Sequence, residues 1–214
     1  MTAKLALSRL HFPIMSLGYG RRIGIWTQGC SIGCKGCMSV DTWASRPANI
    51  PVDEIVTRVD RWLAEADGIT LSGGEPFDQP EAIVALLSTI RLRIKGDILL
   101  FTGYAFGDVP NAASPALDYL DALVCGPFIE QRASDLPLRG SDNQEIRLLS
   151  RLGRARYCDL NIGSRSRPRI DLVEKDGELW FAGIPKPGDL ERLDATLTAS
   201  GLSFVTSGGR LGGR

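Results

Sequence analysis

The sequence has a single histidine, no net charge and no long apolar run. Its 25 basic and 25 acidic side chains cancel, so the overall charge gives no reason to expect a nucleic-acid partner. No apolar run approaches the roughly 18 residues of a membrane-spanning helix, and no membrane partner is expected. Because His11 lies in a stretch without a recognisable motif, catalysis by a histidine-activated nucleophile is disfavoured.

The cysteine content excludes a disulfide framework of the secreted kind. The chain has five cysteines, an odd number, and three of them fall within eight residues. The N-terminus has no basic segment followed by an apolar run and a cleavage site. We therefore expect a protein of the reducing cytoplasm. With 214 residues, 43% of them hydrophobic, the chain can bury one sizeable core.

The three clustered cysteines are Cys30, Cys34 and Cys37. Soft thiolates at this spacing can face one point only if the backbone wraps around it, and they select zinc or iron–sulfur clusters. Cysteine-ligated clusters ordinarily have four such ligands, so three cysteines indicate a cubane with one iron open to a non-protein ligand. The alternative is a zinc site with a distant fourth ligand. The candidates for that ligand are His11, Cys125 and Cys158.

Short apolar strands alternate with amphipathic helices along most of the chain. The predicted strands are 23–27, 68–71, 97–101 and 122–125, and the predicted helices are 51–66, 79–93 and a short one at 115–119. This order predicts an α/β protein with a parallel sheet and right-handed crossovers. Residues 1–20 have a mixed pattern that ends in a turn-rich stretch, and 132–144 predicts a structured loop.

The last quarter of the chain has a different pattern. We expect a β-hairpin around the turn at 175–177, a helix over 187–200 and a frayed glycine-rich end at 208–214. Between Arg139 and Arg169 there are eight arginines and three acidic residues. Such a segment can meet acidic protein or phosphate, or it can form a solvated face with ordinary ion pairs. We expect residues 1–150 to form the core and 151–214 an appendage of the same compact domain.

A second motif, Ser72-Gly73-Gly74-Glu75-Pro76, follows the second predicted strand. Its glycines let the backbone approach a ligand without an intervening Cβ, and Glu75 can accept a hydrogen bond from an ammonium group. Taken alone, the motif is equally typical of an ordinary turn before a helix. One strand after a three-cysteine loop, it indicates a cofactor site, because loops at the carboxyl ends of parallel strands bind ligands.

The cysteine loop together with Gly73-Gly74-Glu75-Pro76 resembles the radical S-adenosylmethionine superfamily. The resemblance implies a partial (β/α) barrel and an oxidoreductase in which Cys30, Cys34 and Cys37 hold a [4Fe-4S] cluster. It implies that S-adenosylmethionine chelates the open iron and is cleaved to a 5′-deoxyadenosyl radical. The residues that it assigns to S-adenosylmethionine are Ser72, Gly73, Gly74 and Glu75, with Gly36 acting through its backbone.

Further segments are similar to the activating enzymes of anaerobic ribonucleotide reductase, a group of glycyl radical enzyme activases. They are Arg21-Arg22-Ile23-Gly24-Ile25-Trp26-Thr27-Gln28-Gly29-Cys30, Cys34-Lys35-Gly36-Cys37, Asp41-Thr42-Trp43, Phe101-Thr102-Gly103-Tyr104, Leu123-Val124-Cys125-Gly126-Pro127-Phe128 and Leu138-Arg139-Gly140-Ser141-Asp142-Asn143-Gln144. The resemblance covers about residues 17–150. It implies a glycyl radical enzyme as protein substrate, a glycine Cα–H as hydrogen donor, and an external reductant such as flavodoxin or ferredoxin.

Two departures from this pattern involve cysteines and the tail. Cys125 stands where the resemblance leads us to expect an aspartate, and we interpret it as a small buried residue; Cys158 is interpreted as structural. The tail from Arg151 is longer than such activases usually have. Two alternatives therefore stay open: a radical S-adenosylmethionine enzyme for another peptide, nucleotide or small metabolite, and a non-catalytic iron–sulfur carrier or metal-stabilised binding module.

Overall fold

The computed structural model describes residues 3–161, 170–175, 178–186 and 188–201. The strands are β1 (Lys4–Leu5), β2 (Leu7–Ile14), β3 (Arg22–Thr27), β4 (Ile50–Pro51), β5 (Gly68–Gly73), β6 (Asp97–Thr102), β7 (Ala122–Cys125), β8 (Glu145–Leu148), β9 (Ile170–Lys175) and β10 (Glu178–Gly183). The α-helices are α1 (Val52–Leu63), α2 (Pro80–Arg91), α3 (Arg151–Tyr157) and α4 (Asp189–Ala199).

A six-stranded sheet in the order β2-β3-β5-β6-β7-β8 forms the centre of the described chain. The inner four strands are parallel, whereas β2 and β8 run antiparallel at the two edges. The expected α/β class with a mostly parallel sheet is confirmed. We call the side where β3, β5, β6 and β7 end the carboxyl edge, and the opposite side the amino edge.

One face of the sheet is covered by α1, α2 and a 3-10 helix at Ser114–Tyr119. In α1 the residues Val52, Ile55, Val56 and Val59 are buried at helical spacing, and the acidic side chains of its first turn complement the helix dipole. This face holds the larger hydrophobic core. The helix thus forms where its apolar stripe can be buried against the sheet.

The other face of the sheet, the inner face, is covered by the C-terminal part of the chain. Leu99 and Val124 pack against Tyr157 and the turn that follows α3. Trp26 packs with Ala182 of β10. The described residues Tyr157, Leu160 and Ala182 therefore help to close the inner face.

The short helix α3 depends on two local features. The side chain of Ser150 accepts a hydrogen bond from the backbone N–H of Gly153 at 2.9 Å, a typical N-cap. A Cβ on Gly153 would lie 1.9 Å from the carbonyl oxygen of Asp121. Glycine therefore allows α3 to pack directly on the chain that enters β7.

A buried ion pair lies at the amino edge beneath α3. Arg22 is fully buried and donates to both carboxylate oxygens of Asp97 at 3.0 and 2.9 Å, and to Thr70 at 2.6 Å. Tyr157 and Arg156 also donate to Asp97. Burial alone would raise the pKa of Asp97, but the charge and hydrogen bonds of Arg22 outweigh it and hold the pKa below its ordinary value.

Most of the predicted elements are confirmed with bounds shifted by a few residues. The hairpin is formed by β9 and β10, and α4 lies within the predicted 187–200 helix. The prediction for 1–20 was wrong in leaving out β2, and β8 and α3 were also missed. The turn residues 176–177 and the end at 208–214 lie outside the described residues. None of the described helices is long and apolar enough to cross a membrane.

Candidate functional site

The cysteine loop leaves β3 at the carboxyl edge and is fixed at its start by the backbone. Gly29 N–H donates to the Thr42 carbonyl at 2.7 Å, and Cys30 N–H donates to the Trp43 carbonyl at 3.2 Å. Gly29 has a φ of +99°, which only glycine adopts without strain. The loop therefore turns sharply at the strand end and returns along its own later residues.

One cysteine sulfur accepts a backbone hydrogen bond, which Ser39 N–H donates to Cys37 at 3.4 Å. Backbone N–H groups also act to lower the pKa of the other two thiols, those of Gly33 and Ile32 at Cys30 and that of Phe128 at Cys34. Such donors favour the thiolate form that binds iron. Burial, with smaller contributions from Glu75 at Cys30 and from the neighbouring thiols at both, still raises the pKa of Cys30 and Cys34. Metal binding must therefore displace protons from these sulfurs.

The donor set fits an iron–sulfur cluster better than a single metal ion. Within the described residues, no group of three or more histidine, cysteine or acidic side chains is arranged around one ion. Ligands of a cubane bind different irons and stand farther apart than ligands of one ion. The candidate fourth ligands for zinc are placed elsewhere: Cys125 donates to the Glu145 carbonyl, Cys158 is exposed after α3, and His11 lies in β2 beside Gly24.

The glycine motif packs directly on the start of the cysteine loop. Gly74 N–H donates to the Thr27 carbonyl at 2.9 Å, and Glu75 N–H donates to the Gly29 carbonyl at 2.8 Å. A Cβ on Gly74 would lie 2.0 Å from the Gly29 oxygen, and one on Gly73 would lie 2.4 Å from the Thr27 nitrogen. Glycine at these two positions thus allows the two loops to touch, a role that the sequence analysis did not predict.

Glu75 is 1% exposed, and its carboxylate joins two loops. One oxygen accepts from Phe77 N–H at 2.9 Å and from the Thr102 hydroxyl at 2.8 Å, while the other accepts from Gly103 N–H at 2.7 Å. Burial raises the pKa of Glu75 to about 7 despite these donors, because none of them is a cation. The second oxygen keeps one lone pair for a further donor, so the contact of Glu75 with an ammonium group stays a prediction.

The two other residues assigned to S-adenosylmethionine also lie at this edge. Ser72 is half-buried near the end of β5, in register with Trp26 of β3. Gly36 is exposed with a φ of +77°, and a Cβ there would approach Glu130 and Phe128. The structure therefore brings all the sequence-predicted site residues to the carboxyl edge, on the end of β5 and on the loops beside it.

The loop after β7 is ordered by the amide side chains at its end. Gln144 accepts from Gly140 N–H at 2.8 Å and donates to the Gly126 carbonyl at 2.9 Å. Asn143 donates to the Pro127 carbonyl at 2.8 Å. These bonds order the loop around Phe128, whose ring lies beside Gly36 of the cysteine loop, so this loop supports the cysteine loop.

Sequence reasoning missed a second contact between the loops, centred on Asp78. Ser31 donates to Asp78 through both its N–H and its hydroxyl at 2.7 Å, and the Tyr104 hydroxyl donates to Asp78 at 3.0 Å. The two hydroxyls are 3.3 Å apart. Asp78 lies three residues after Glu75 and just before α2. From the sequence alone it could not be distinguished from an acidic residue that stabilises the start of a helix.

Comparison with known proteins identifies the family. Residues 16–147 match a family described as a 4Fe-4S single cluster domain. The anaerobic ribonucleoside-triphosphate reductase-activating protein of Vibrio cholerae is 34% identical over 147 residues, 64% of this chain and 94% of that protein. The protein of the same name from Haemophilus influenzae is 33% identical over 145 residues, 60% of this chain and 88% of that protein. The pyruvate formate-lyase-activating enzyme of Listeria monocytogenes is 35% identical over 72 residues, 31% of this chain and 29% of that protein.

The chain belongs to the 4Fe-4S single cluster domain family and, within it, to the radical S-adenosylmethionine group of anaerobic ribonucleotide reductase-activating proteins. It is an enzyme whose cofactors are a [4Fe-4S] cluster and S-adenosylmethionine. The soft donor set of the cysteine loop, with Ser39 N–H donating to Cys37, fits that cluster.

Proposed function

We propose that this enzyme installs a glycyl radical on a partner enzyme of the anaerobic ribonucleotide reductase kind. The observation that carries the proposal is the cysteine loop at the carboxyl edge, packed against the Gly73-Gly74 turn. When bound, the reduced cluster supplies the electron that cleaves S-adenosylmethionine to the 5′-deoxyadenosyl radical. The names of the relatives, which are activating proteins of glycyl radical enzymes, support this acceptor.

Each site residue has a proposed role in this function. Cys30, Cys34 and Cys37 would hold the cluster through their thiolates. Ser72, Gly73, Gly74 and Glu75, together with the backbone of Gly36, hold S-adenosylmethionine beside the cluster. The placement of all these residues at one edge of the sheet supports these roles.

The architecture proposed for the enzyme is a partial (β/α) barrel open at the carboxyl edge. Residues 1–150 form its core, and 151–214 is an appendage of the same domain. The contacts of Tyr157 and Ala182 with the inner face support this division. We place the enzyme in the cytoplasm, where flavodoxin or ferredoxin can deliver the electron, because its five cysteines are unpaired.

The test begins with anaerobic reconstitution using iron and sulfide, reduction with dithionite, and assay of 5′-deoxyadenosine from S-adenosylmethionine. Cys34→Ala is expected to abolish both cluster retention and cleavage. The matched control is Cys158→Ser, which changes an exposed thiol and is expected to keep full iron content. Cleavage by Cys34→Ala at normal iron content would contradict the ligand assignment.

The acceptor is tested by adding anaerobic ribonucleotide reductase to the reduced enzyme and recording the electron paramagnetic resonance spectrum. We expect a glycyl radical signal that requires both S-adenosylmethionine and the cysteine loop. Formation of 5′-deoxyadenosine without any radical on the reductase would favour another peptide, nucleotide or metabolite as substrate. Absence of 5′-deoxyadenosine with a full cluster and bound S-adenosylmethionine, even with the reductase present, would favour a non-catalytic binding role.

A further inference from the structure

We propose that Asp78 lowers the reduction potential of the cluster held by the cysteine loop. The carboxylate does so by placing a negative charge beside the loop and by binding the N–H of Ser31, the residue that follows Cys30. The proposal rests on the cluster in the cysteine loop and not on the identity of the radical acceptor.

The backbone N–H of Ser31, the residue that follows Cys30, is not directed at a cysteine sulfur. The N–H of Ser31 donates instead to Asp78 at 2.7 Å. Hydrogen bonds to the sulfurs are one of the factors that set the reduction potential of an iron–sulfur cluster. Asp78 therefore keeps one N–H donor away from the cluster.

The negative charge of Asp78 has a second effect on the reduction potential. The side chain is exposed, and no lysine or arginine forms an ion pair with it in the part of the chain that the structure describes. Its neighbours are the neutral hydroxyls of Ser31 and Tyr104. A net negative charge near a cluster disfavours the addition of an electron, so this effect has the same sign as the first.

The contact also ties together three loops that follow successive parallel strands. Ser31 comes after β3, Asp78 after β5 and Tyr104 after β6. The carboxylate accepts from the first and the third of these loops. The position of the charge relative to Cys30 is therefore fixed by the sheet, which makes Asp78 a positioning residue with a defined electrostatic effect.

The decisive variant is Asp78→Asn, measured by redox titration of the reconstituted holoenzyme with the cluster followed by electron paramagnetic resonance. Asparagine keeps the shape and an oxygen for Ser31 N–H, and the hydroxyls can reverse their roles, so the main change is the loss of charge. At a fixed potential we expect the ratio of reduced to oxidised cluster to rise about tenfold, which is about 59 mV for one electron. The electron comes from the external reductant.

The matched control is Asp60→Asn. Asp60 is also exposed, but it lies in the second half of α1 and pairs with Arg93 at the amino edge. This variant removes the same charge from the distant side of the sheet and is expected to leave the potential unchanged. A shift of the same size in Asp60→Asn would show that only net charge matters and would overturn the role of Asp78.

Tyr104→Phe separates an electrostatic role from a merely structural one. This variant removes a donor that partly neutralises Asp78 and leaves the charge in place, so the potential is expected to fall slightly. If the contact of Asp78 with Ser31 and Tyr104 only held the loop in place, Asp78→Asn and Tyr104→Phe would shift the reduction potential in the same direction. If Asp78→Asn loses its cluster, Tyr104→Phe decides alone: a lower potential supports the proposal, and an unchanged or higher one overturns it.

The titration needs neither S-adenosylmethionine nor a partner enzyme. An unchanged potential in Asp78→Asn at full iron content would refute this inference and leave the proposed function intact. Failure of the proposed function would appear instead as absence of 5′-deoxyadenosine in the unmodified enzyme.

Discussion

The two edges of the central sheet each contain a buried carboxylate, and the two behave in opposite ways. Asp97 at the amino edge lies against the guanidinium of Arg22, and its pKa is lowered. Glu75 at the carboxyl edge accepts three hydrogen bonds from neutral donors, and burial raises its pKa to about 7. Burial is similar at both sites, so the charge of the partner decides the direction of the shift.

The comparison also distinguishes a scaffold from a site. At the amino edge, Arg22, Asp97 and Tyr157 are closed off by α3 and satisfied by one another. Among the described residues, Glu75 at the carboxyl edge forms no ion pair, and Cys30, Cys34 and Cys37 are only partly buried. The two edges therefore differ in whether a cation neutralises the buried carboxylate, as Arg22 does for Asp97.

We expect the largest loss of stability from Arg22→Met, which removes the buried ion pair with Asp97 at the amino edge. Removing one partner of a buried ion pair leaves Asp97 buried and uncompensated, which typically costs about 3–5 kcal/mol. The measurement is the free energy of unfolding of the apo protein by urea titration. The control is Arg58→Met, which removes an exposed pair with Glu54 and is expected to change stability by about 0.5 kcal/mol or less.

The same variant should change how stability depends on pH. The depressed pKa of Asp97 means that its contribution is present above the unfolded pKa of about 3.9 and is lost as pH falls through the folded value. In Arg22→Met this acid loss should disappear. Glu75 has the opposite sign: its contribution is fully present below its unfolded pKa and is lost as pH rises through about 7. If the free energy of unfolding of Arg22→Met falls at low pH as steeply as that of the unmodified protein, the pairing of Arg22 with Asp97 is contradicted.

The next effect targets the carboxyl edge with Gly74→Ala. The new Cβ would lie 2.0 Å from the backbone oxygen of Gly29, so the two loops must separate. We expect S-adenosylmethionine binding to weaken at least tenfold and iron retention to fall, measured by equilibrium dialysis and iron analysis. Gly107→Ala, where nothing lies within 4 Å of the added Cβ, is the control. Normal binding in Gly74→Ala would show that the loop contact is dispensable.

The smallest effect concerns the hairpin that helps close the inner face. Asp171 accepts from the N–H groups of Met15 and Ser16 at 2.9 and 2.8 Å, and from the Ser16 hydroxyl at 2.6 Å. Asp171→Ala should destabilise the protein by about 1–2 kcal/mol and speed amide exchange in β9 and β10, with cleavage of S-adenosylmethionine unchanged. Lys186→Ala, which loses only an exposed pair with Asp135, should exchange like the unmodified protein. If the amides of β9 and β10 exchange as slowly in Asp171→Ala as in the unmodified protein, the hydrogen bonds of Asp171 do not hold the hairpin in place.

The elements that sequence reasoning missed share a physical cause. In β2 the polar and apolar residues do not alternate cleanly, because Pro13 and register shifts interrupt the pairing with β3. Helix α3 has seven residues, the third of which is Gly153, and this gives too little periodicity to predict a helix. Both elements are stabilised by contacts distant in sequence, which propensity does not report.

Sequence patterns alone predicted the cysteine loop, the glycine motif and the strand–helix alternation, because each is encoded by residues close together in the chain. They did not indicate that Arg22 is buried while Arg21 is exposed, or that Glu75 and Asp78 take different partners. The burial of Arg22 and the partners of Glu75 and Asp78 depend on the tertiary structure. The order of strands in the sheet determines which loops meet at the carboxyl edge and which charges are enclosed at the amino edge.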